Sequence, residues 1–266
     1  MNDKPKIHFA DNELLSPTNP IELNLIGAGG TGSKVLIALM EMNHCLVELG
    51  HAGLQVRLWD DDVITPANLG RQRFATSEIG MYKSVALINR INRFAGTSWK
   101  AETVKFTKDG SNDISKHFLS TIYITAVDNV HSRFEVAEIL DQLKEEHYYR
   151  NRPKYWLDYG NNLHTGQVIL STIGNIKQPN SKKYCTVQNL PMVTDEFGEL
   201  LKLSEQTDST PSCSLAEALE KQDLYINSTL AQMGCSLLWN LFRNGMTPYR
   251  GFFLNLKDLR SQPLPV

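Results

Sequence analysis

Short apolar runs and longer segments of helical periodicity alternate through the first two thirds of the chain. A continuous apolar run of a few residues is typical of a buried parallel strand. An apolar position at every third or fourth residue is typical of a helix packed on a sheet. The predicted elements are strand 21–26, helix 31–49, strand 54–59, helix 77–94, strand 99–106, strand 121–127 and helix 130–146. This alternation predicts an α/β fold: a doubly wound, Rossmann-like mixed sheet with helices on both faces.

The last third of the chain has a less regular pattern. The predicted elements there are strands 155–159 and 166–173, helix 224–242, a closing strand 249–256 and a tail 260–266. Residues 174–212 are polar and contain Pro179, Pro191 and Pro211. We interpret this stretch as a long loop or a small mobile insertion within a single domain that covers residues 1–266.

A glycine-rich turn lies between the first of these strands and the helix that follows it, with the sequence Gly27-Ala28-Gly29-Gly30-Thr31-Gly32. Glycine at such positions permits a tight turn, close approach of the backbone to a phosphate, and packing of the helix on the strand. The helix N-terminus adds N–H groups and a partial positive charge that favour an anion. The turn predicts a nucleotide site without identifying the nucleotide.

Charged and amide side chains follow the second strand of this alternating region. Three carboxylates, Asp60, Asp61 and Asp62, come directly after it. The next two dozen residues contain Asn68, Arg71, Gln72, Arg73 and Lys83. One carboxylate suits a ribose diol, whereas two cations and an amide suit a triphosphate. Since nicotinamide chemistry has no use for this cationic set, the sequence favours ATP, and a dehydrogenase is the minor alternative.

In order and spacing these residues resemble the ThiF/MoeB family, whose members include the ubiquitin-activating enzymes. The family pattern is a glycine loop, D-x-D after the second strand, N-L-x-R-Q, a lysine in G-x-x-K and a later D-N. The matching segments here are 27–32, 60–62, 68–72, 80–83 and 128–129. Within the family the chain is most similar to the ThiF-type proteins of PRTRC gene systems. That resemblance implies a small ubiquitin-like protein as its partner.

The resemblance implies a role for each matching residue. Asp60 would hold the ribose of ATP, Asn68 and Arg71 would bind the polyphosphate, and Lys83 would neutralise charge at the α- and β-phosphates. Asp128 would position Mg²⁺. The other implied nucleotide contacts are Gly27, Gly29, Gly30, Gly32, Asp62, Gln72 and Asn129.

The implied reaction is ATP-dependent adenylation of the C-terminal carboxylate of a small ubiquitin-like or sulfur-carrier-like protein, with release of pyrophosphate. A C-terminal carboxyl group ordinarily has a pKa of roughly 3.5, so it is already an ionised nucleophile at neutral pH. Catalysis can therefore rest on positioning and on preorganised cations, without a catalytic base. In the family, a crossover loop near residues 174–212 covers the tail of the substrate.

Two features depart from the family pattern. Relatives carry an N-terminal arginine that reaches the ATP of the partner subunit, whereas residues 1–20 here contain no arginine. That role is unfilled, moved to a residue such as Arg73, or met by a partner chain. Many relatives also hold zinc with two C-x-x-C pairs, and because the four cysteines here form no such pair we predict no zinc.

The cysteines bear on whether a thioester follows adenylation. Cys185 begins a C-T-x-x-x-x-P segment that resembles the thioester segment of ubiquitin-activating enzymes, although the proline usual two positions earlier is Lys183. Cys213 precedes an S-x-x-E capping box, and a helix N-terminus favours thiolate. The sequence leaves open whether either cysteine, or neither, is reactive. Cys45 and Cys235 lie on predicted helices among apolar residues and are expected in the core.

Composition and charge exclude only a few classes of function. A net charge of −2 gives no support for nucleic-acid binding. No apolar run approaches the roughly 20 residues of a membrane helix, and the cysteine spacing favours a reducing cytoplasm.

We expect a homodimer. Two alternatives stay open: a non-catalytic scaffold subunit of a heterodimeric activating enzyme, or a relative that adenylates a modified tRNA base or a peptide.

Overall fold

The computed structural model describes residues 4–69, 72–107, 119–144, 152–205 and 222–266. The strands are β1 (Lys6–Phe9), β2 (Ile21–Ile26), β3 (Leu54–Trp59), β4 (Lys100–Glu102), β5 (Ile122–Thr125), β6 (Tyr155–Asn161), β7 (Thr165–Thr172), β8 (Cys185–Thr186), β9 (Met246–Thr247), β10 (Tyr249–Asn255) and β11 (Arg260–Pro265). The α-helices are α1 (Asn12–Leu15), α2 (Gly32–Glu48), α3 (Lys83–Ala95), α4 (Val130–Leu143), α5 (Val193–Glu205) and α6 (Ile226–Asn244).

Eight strands form one mixed sheet in the order β11-β10-β7-β6-β5-β2-β3-β4. The five strands from β6 to β4 along this order run parallel, and β7, β10 and β11 continue the sheet as an antiparallel meander. The order reverses at β2, because β3 lies on one side of it and β5 on the other. In open α/β sheets, ligands bind beyond the carboxyl ends of the strands at such a reversal.

The central strands are buried on both faces. Every residue of β5 is buried, and side chains that alternate along it enter two different cores. Ile122 and Ile124 pack in the core formed with α2, α3 and α6, and Tyr123 packs in the core formed with α4 and α5. Two covered faces explain why these strands are continuous apolar runs in the sequence. The predicted doubly wound α/β fold with helices on both faces is confirmed.

A separate three-stranded sheet joins distant parts of the chain. Strand β1 lies at its centre, parallel to β8 and antiparallel to β9. The polar segment 174–212 therefore contains strand β8, and it also contains helix α5; neither element was predicted. The apolar residues Val193 and Leu201 of α5 are buried in the second core, which accounts for the helix.

Several predicted elements differ from the structure in extent or type. Helix α3 begins at Lys83 and not at residue 77, because Gly80 adopts a positive φ of 87° and ends the 3-10 turn Thr76–Glu78. The strand predicted at 99–106 spans only Lys100–Glu102. The predicted tail is strand β11, which pairs with β10 along its length. Among the described residues, no helix is long and apolar enough to cross a membrane.

Candidate functional site

A cleft of about 390 Å³ lies beyond the carboxyl ends of β2, β3 and β5. It is the place where the order of the parallel strands reverses. Nine of the residues predicted from the sequence line it: Gly27, Gly29, Gly30, Asp60, Asp62, Gln72, Lys83, Asp128 and Asn129. Residues separated by a hundred positions in the chain therefore share one site.

The glycine turn forms one wall of this cleft. Gly27 has a φ of 97°, and a Cβ there would lie 2.7 Å from the carbonyl oxygen of Ala126. A Cβ on Gly32 would lie only 1.9 Å from the carbonyl oxygen of Gly27. Side chains at these two positions are therefore excluded by the backbone itself. Helix α2 begins directly after the turn, so the positive end of its dipole faces the site.

Asp60 links the glycine turn to the end of β3. Its carboxylate accepts a 2.6 Å hydrogen bond from the backbone N–H of Ala28 and a 3.1 Å bond from that of Asp62. Burial raises the pKa of Asp60 to about 6, against the opposing effects of the Ala28 bond and the charge of Lys83. A carboxylate held in this way is oriented to accept hydroxyl groups of a ligand.

Lys83 is the first residue of α3 and is almost completely buried. Its ammonium donates a 2.6 Å hydrogen bond to Asp62, whose side chain is 67% exposed. The backbone N–H of Lys83 also donates to the carbonyl of Asp62, at 2.9 Å. The buried cation therefore lies in the cleft wall with a partner that solvent or another anion can reach.

Gln72 contributes a buried amide to the same cleft. Its side chain is 5% exposed, and its Oε1 atom has no hydrogen-bond partner among the described residues. A buried polar atom without a partner costs free energy, and a bound ligand would relieve that cost. Since an amide can be turned to present either its oxygen or its nitrogen, a donor or an acceptor group of the ligand would serve.

Asp128 and Asn129 follow β5 and complete the opposite wall. Asp128 is exposed towards the cleft, and its Oδ1 accepts a 3.1 Å hydrogen bond from the side chain of Asn129. Asn129 also caps α4, because its side-chain oxygen accepts a 2.8 Å bond from the N–H of Ser132. Capping holds the turn that presents Asp128 against the start of the helix.

Other predicted site residues lie elsewhere. Asn68 is not among the residues lining the cleft; its side-chain oxygen accepts from the N–H of Thr65 and caps the 3-10 turn Pro66–Asn68. Its polyphosphate contact stays a prediction. Gly32 acts through backbone packing, as described above. Arg71 and Cys213 lie outside the described residues.

The described cysteines differ in environment. Cys185 is exposed on β8, where its backbone pairs with β1, and it does not line the cleft. Cys235 is buried as predicted, 3.7 Å from the hydroxyl of Tyr159, and burial raises its pKa to about 12. Cys45 was expected in the core, and that expectation is wrong: it is exposed on the outer side of α2.

Several cleft residues were missed by sequence reasoning. The cleft lining also includes Lys105, Phe106, Asn161, Gln222 and Asn227. Asn227, in the first turn of α6, accepts a 2.7 Å bond from the hydroxyl of Thr31 and would block a side chain at Gly30. No spacing links Asn227 to the glycine turn, because nearly 200 residues separate them. The charge of Lys105 was visible, but no motif marked it.

The described part of the cleft lining carries a net negative charge. Five carboxylates and two ammonium groups line its described part: Asp60, Asp61, Asp62, Asp128, Glu135, Lys83 and Lys105. Within the described residues, no group of three or more His, Cys, Asp or Glu side chains could hold a metal ion unaided. Mg²⁺ in nucleotide sites is bound by one or two carboxylates and takes its other ligands from water and substrate phosphates.

The chain belongs to the ThiF family, because the sequence profile of that family matches residues 7–262. The fold is similar to the solved structure of PaaA, with 14% identity, a TM-score of 0.55, and coverage of 92% of this chain and 64% of PaaA. It is also similar to MccB of E. coli, with 13% identity, a TM-score of 0.60, and coverage of 95% and 63%.

MccB has also been solved with ATP, and that structure is 14% identical with a TM-score of 0.54, over 95% of this chain and 65% of MccB. The chain thus spans slightly less than two thirds of the length of these proteins. No curated protein matches it in sequence.

Proposed function

We propose that this protein is an E1-like adenylating enzyme that uses ATP to activate the C-terminal carboxylate of a small ubiquitin-like or sulfur-carrier-like protein. The observation that carries the proposal is the convergence of the glycine turn, Asp60, Lys83 and Asp128 on one cleft. Membership of the ThiF family supports the reaction class. The ATP complex of the structurally similar MccB supports the choice of nucleotide.

We assign a task in this reaction to the cleft residues that carry the proposal. The carboxylate of Asp60 accepts the ribose hydroxyls, beside the aromatic pair Trp59 and Phe106, whose ring centroids are 5.1 Å apart. The glycine turn and the start of α2 receive phosphate oxygens. The ammonium of Lys83 turns from Asp62 to a phosphate and offsets the charge that develops at the α-phosphate.

Asp128 would contribute an oxygen ligand for Mg²⁺ at the edge of the cleft. The negative lining of the described cleft makes a free ATP tetra-anion a poor ligand, so the metal complex of ATP is the form that suits the site. Mg²⁺ supplies charge neutralisation of the polyphosphate when it is bound. The substrate carboxylate then attacks the α-phosphate, and pyrophosphate leaves.

The partner assignments are part of the same proposal. MccB has been solved with MccA, which supports a polypeptide substrate for this chain. The PRTRC-type assignment, the homodimer, a crossover loop within 174–212 and a cytoplasmic location are proposed on the sequence resemblance. Thioester formation is proposed as an optional later step: Cys185 is exposed and Cys213 is the alternative.

The decisive test is ATP–pyrophosphate exchange by purified protein in the presence of ubiquitin-like candidates encoded nearby. We expect exchange that requires such a protein and is lost in Asp128→Ala. The matched control is Asp141→Ala, which removes an exposed aspartate near the end of α4, outside the cleft. Binding of NADH without binding of ATP would overturn the proposal.

A further inference from the structure

We propose that Arg133 is a positioning residue for Asp128, acting through the carbonyl group of Val127 and anchored by the buried carboxylate of Asp158. The inference deepens the proposed function and rests on it, because Asp128 matters only if the cleft performs adenylation. Arg133 does not line the cleft and is 6% exposed, so it is no phosphate ligand itself. Its role is to hold the turn that presents Asp128.

The guanidinium of Arg133 makes three hydrogen bonds, one to the turn after β5 and two to strand β6. Its Nη2 donates to the carbonyl oxygens of Val127 and Tyr159, both at 3.0 Å. Its Nε donates to Oδ1 of Asp158 at 3.2 Å. Val127 immediately precedes Asp128, so this one side chain ties the cleft turn to strand β6.

Asp158 is the anchor of this arrangement. It lies in β6, is 1% exposed, and also accepts a 2.5 Å hydrogen bond from the hydroxyl of Thr125 at the end of β5. Its other oxygen, Oδ2, has no partner among the described residues. A buried carboxylate with one unsatisfied oxygen depends strongly on its single charged partner. Because burying this ion pair costs desolvation free energy, we infer that the pair does more than fill space in the core.

The turn after β5 is consequently held at both ends and in the middle. Thr125 is fixed by Asp158, Val127 by Arg133, and Asn129 by its cap on α4. Asp128 is the exposed residue between these fixed points. A planar fork of donors is needed to reach a carboxylate and two carbonyl groups together, which arginine provides and lysine does not.

Close packing around Arg133 leaves little alternative to this conformation. A Cβ on Gly160 would lie 3.1 Å from Nη2 of Arg133 and 2.2 Å from the amide nitrogen of Gln167. The glycine at position 160 therefore gives the guanidinium room beside β6. Substitution there should disturb the same turn indirectly.

The test compares the Arg133–Asp158 pair with a second buried arginine that lies away from the cleft. Arg250, on β10, pairs with Glu196 of α5 and is 4% exposed. The test variants are Arg133→Lys and the neutral double variant Arg133→Gln with Asp158→Asn, which avoids an unpaired buried charge. The control variants are Arg250→Lys and Arg250→Gln with Glu196→Gln.

Two readouts separate positioning from general stability. Hydrogen exchange of the backbone amides in residues 126–130 is measured on the full chain without ligand. ATP–pyrophosphate exchange is measured per folded protein, with kcat and the KM for ATP determined separately. In the Arg133 variants we expect faster amide exchange in this segment, a kcat reduced by about a hundredfold, and little change in KM. In the Arg250 variants we expect a lower Tm with kcat unchanged.

The outcomes are distinguishable. Unchanged amide exchange at 126–130 in the Arg133 variants overturns the positioning role, whatever the activity. Equal losses of kcat in both pairs assign Arg133 to stability alone and also overturn it. If the wild-type protein shows no pyrophosphate exchange, the proposed function fails. Faster amide exchange in the Arg133 variants would then show only that Arg133 stabilises the turn at residues 126–130.

Discussion

The ion pair between Lys83 and Asp62 joins a buried ammonium to an exposed carboxylate. The lysine side chain is 9% exposed and the aspartate side chain is 67% exposed. The Nζ atom of Lys83 lies 2.6 Å from Oδ2 of Asp62. A lysine is costly to bury, and here its solvent-side partner can be exchanged for another anion. The arrangement keeps a preorganised cation in the wall of the cleft.

Replacing Lys83 should weaken nucleotide binding much more than it weakens the fold. We expect Lys83→Met to raise the Kd for Mg–ATP by about 10- to 100-fold, since a buried charge-assisted hydrogen bond to phosphate contributes roughly 1.5–3 kcal/mol. Calorimetric titration measures this. Lys100→Met, at an exposed position of β4, is the control. Equal affinities in the two variants would contradict a phosphate role for Lys83.

Nucleotide binding should depend on a divalent cation because the described cleft lining is net negative. We expect ATP to bind at least about tenfold more weakly in EDTA than in Mg²⁺, since repulsion between like charges is only partly screened at such a site. Adenosine, which carries no phosphate, should bind equally under both conditions. Metal-dependent adenosine binding would point to a change in the fold and not to charge neutralisation.

Binding should also depend on the protonation of Asp60, whose pKa is raised to about 6 by burial. The ionised carboxylate accepts ribose hydroxyls and predominates above this pKa. Affinity should therefore fall by about tenfold as the pH drops from 7.5 to 5. Asp60→Asn should bind weakly at both pH values. Because the ligand titrates identically with both proteins, their ratio isolates Asp60. A constant ratio across this range would remove Asp60 from the nucleotide contact.

The same raised pKa predicts that Asp60 costs stability at neutral pH. A carboxyl group whose pKa is higher in the folded than in the unfolded state has no effect on stability once it is protonated in both states, which for Asp60 requires a pH below about 3. Its destabilising effect develops as the pH rises from the unfolded pKa of 3.8 to the folded pKa of about 6, and it persists above that value. Asp60→Asn should therefore raise Tm at pH 7.5, where the free energy of unfolding rises by at most about 3 kcal/mol, and should leave Tm unchanged at about pH 3. Asp61→Asn, at an exposed neighbour, should leave Tm unchanged.

Two glycines of the turn should respond differently to the same substitution. A Cβ on Gly32 would lie 1.9 Å from a backbone oxygen, whereas a Cβ on Gly29 meets nothing within 4 Å. We expect Gly32→Ala to lower Tm and to abolish nucleotide binding. Gly29→Ala should keep its Tm and weaken ATP binding through contact with the ligand. Thermal unfolding measures the stability of both variants, and titration with ATP measures their affinity. A lower Tm for Gly29→Ala would contradict the conclusion that position 29 has room for a side chain.

The parallel core of the fold was predictable because its strands and helices bury continuous apolar faces. Strands β2 and β3 lie at their predicted residues, and α2 differs by one residue at each end. The errors fall where tertiary pairing decides the structure. Strand β11 is exposed and contains two prolines, so nothing local marks it, and only its pairing with β10 makes it a strand.

The site was predictable to the extent that its residues follow a motif along the chain. Motif spacing singled out the glycine turn, Asp60, Lys83 and Asp128, and the cleft contains all of them. Arg133, Asp158 and Asn227 act through distant partners, for which a single sequence holds no signal. The expectation that Cys45 is buried failed because the buried positions of its helix include Leu39, Met42 and Leu46 but not Cys45.

The central position of β1 in the small sheet ties the start of the described chain to the candidate thioester cysteine. The N–H of Cys185 donates to the carbonyl of Pro5, and Val187 donates to Ile7. Residues far from the cleft thus govern how β8 is presented. A deletion that removes residues 5–7 would change the surroundings of this thiol, so a labelling study of Cys185 needs that segment intact.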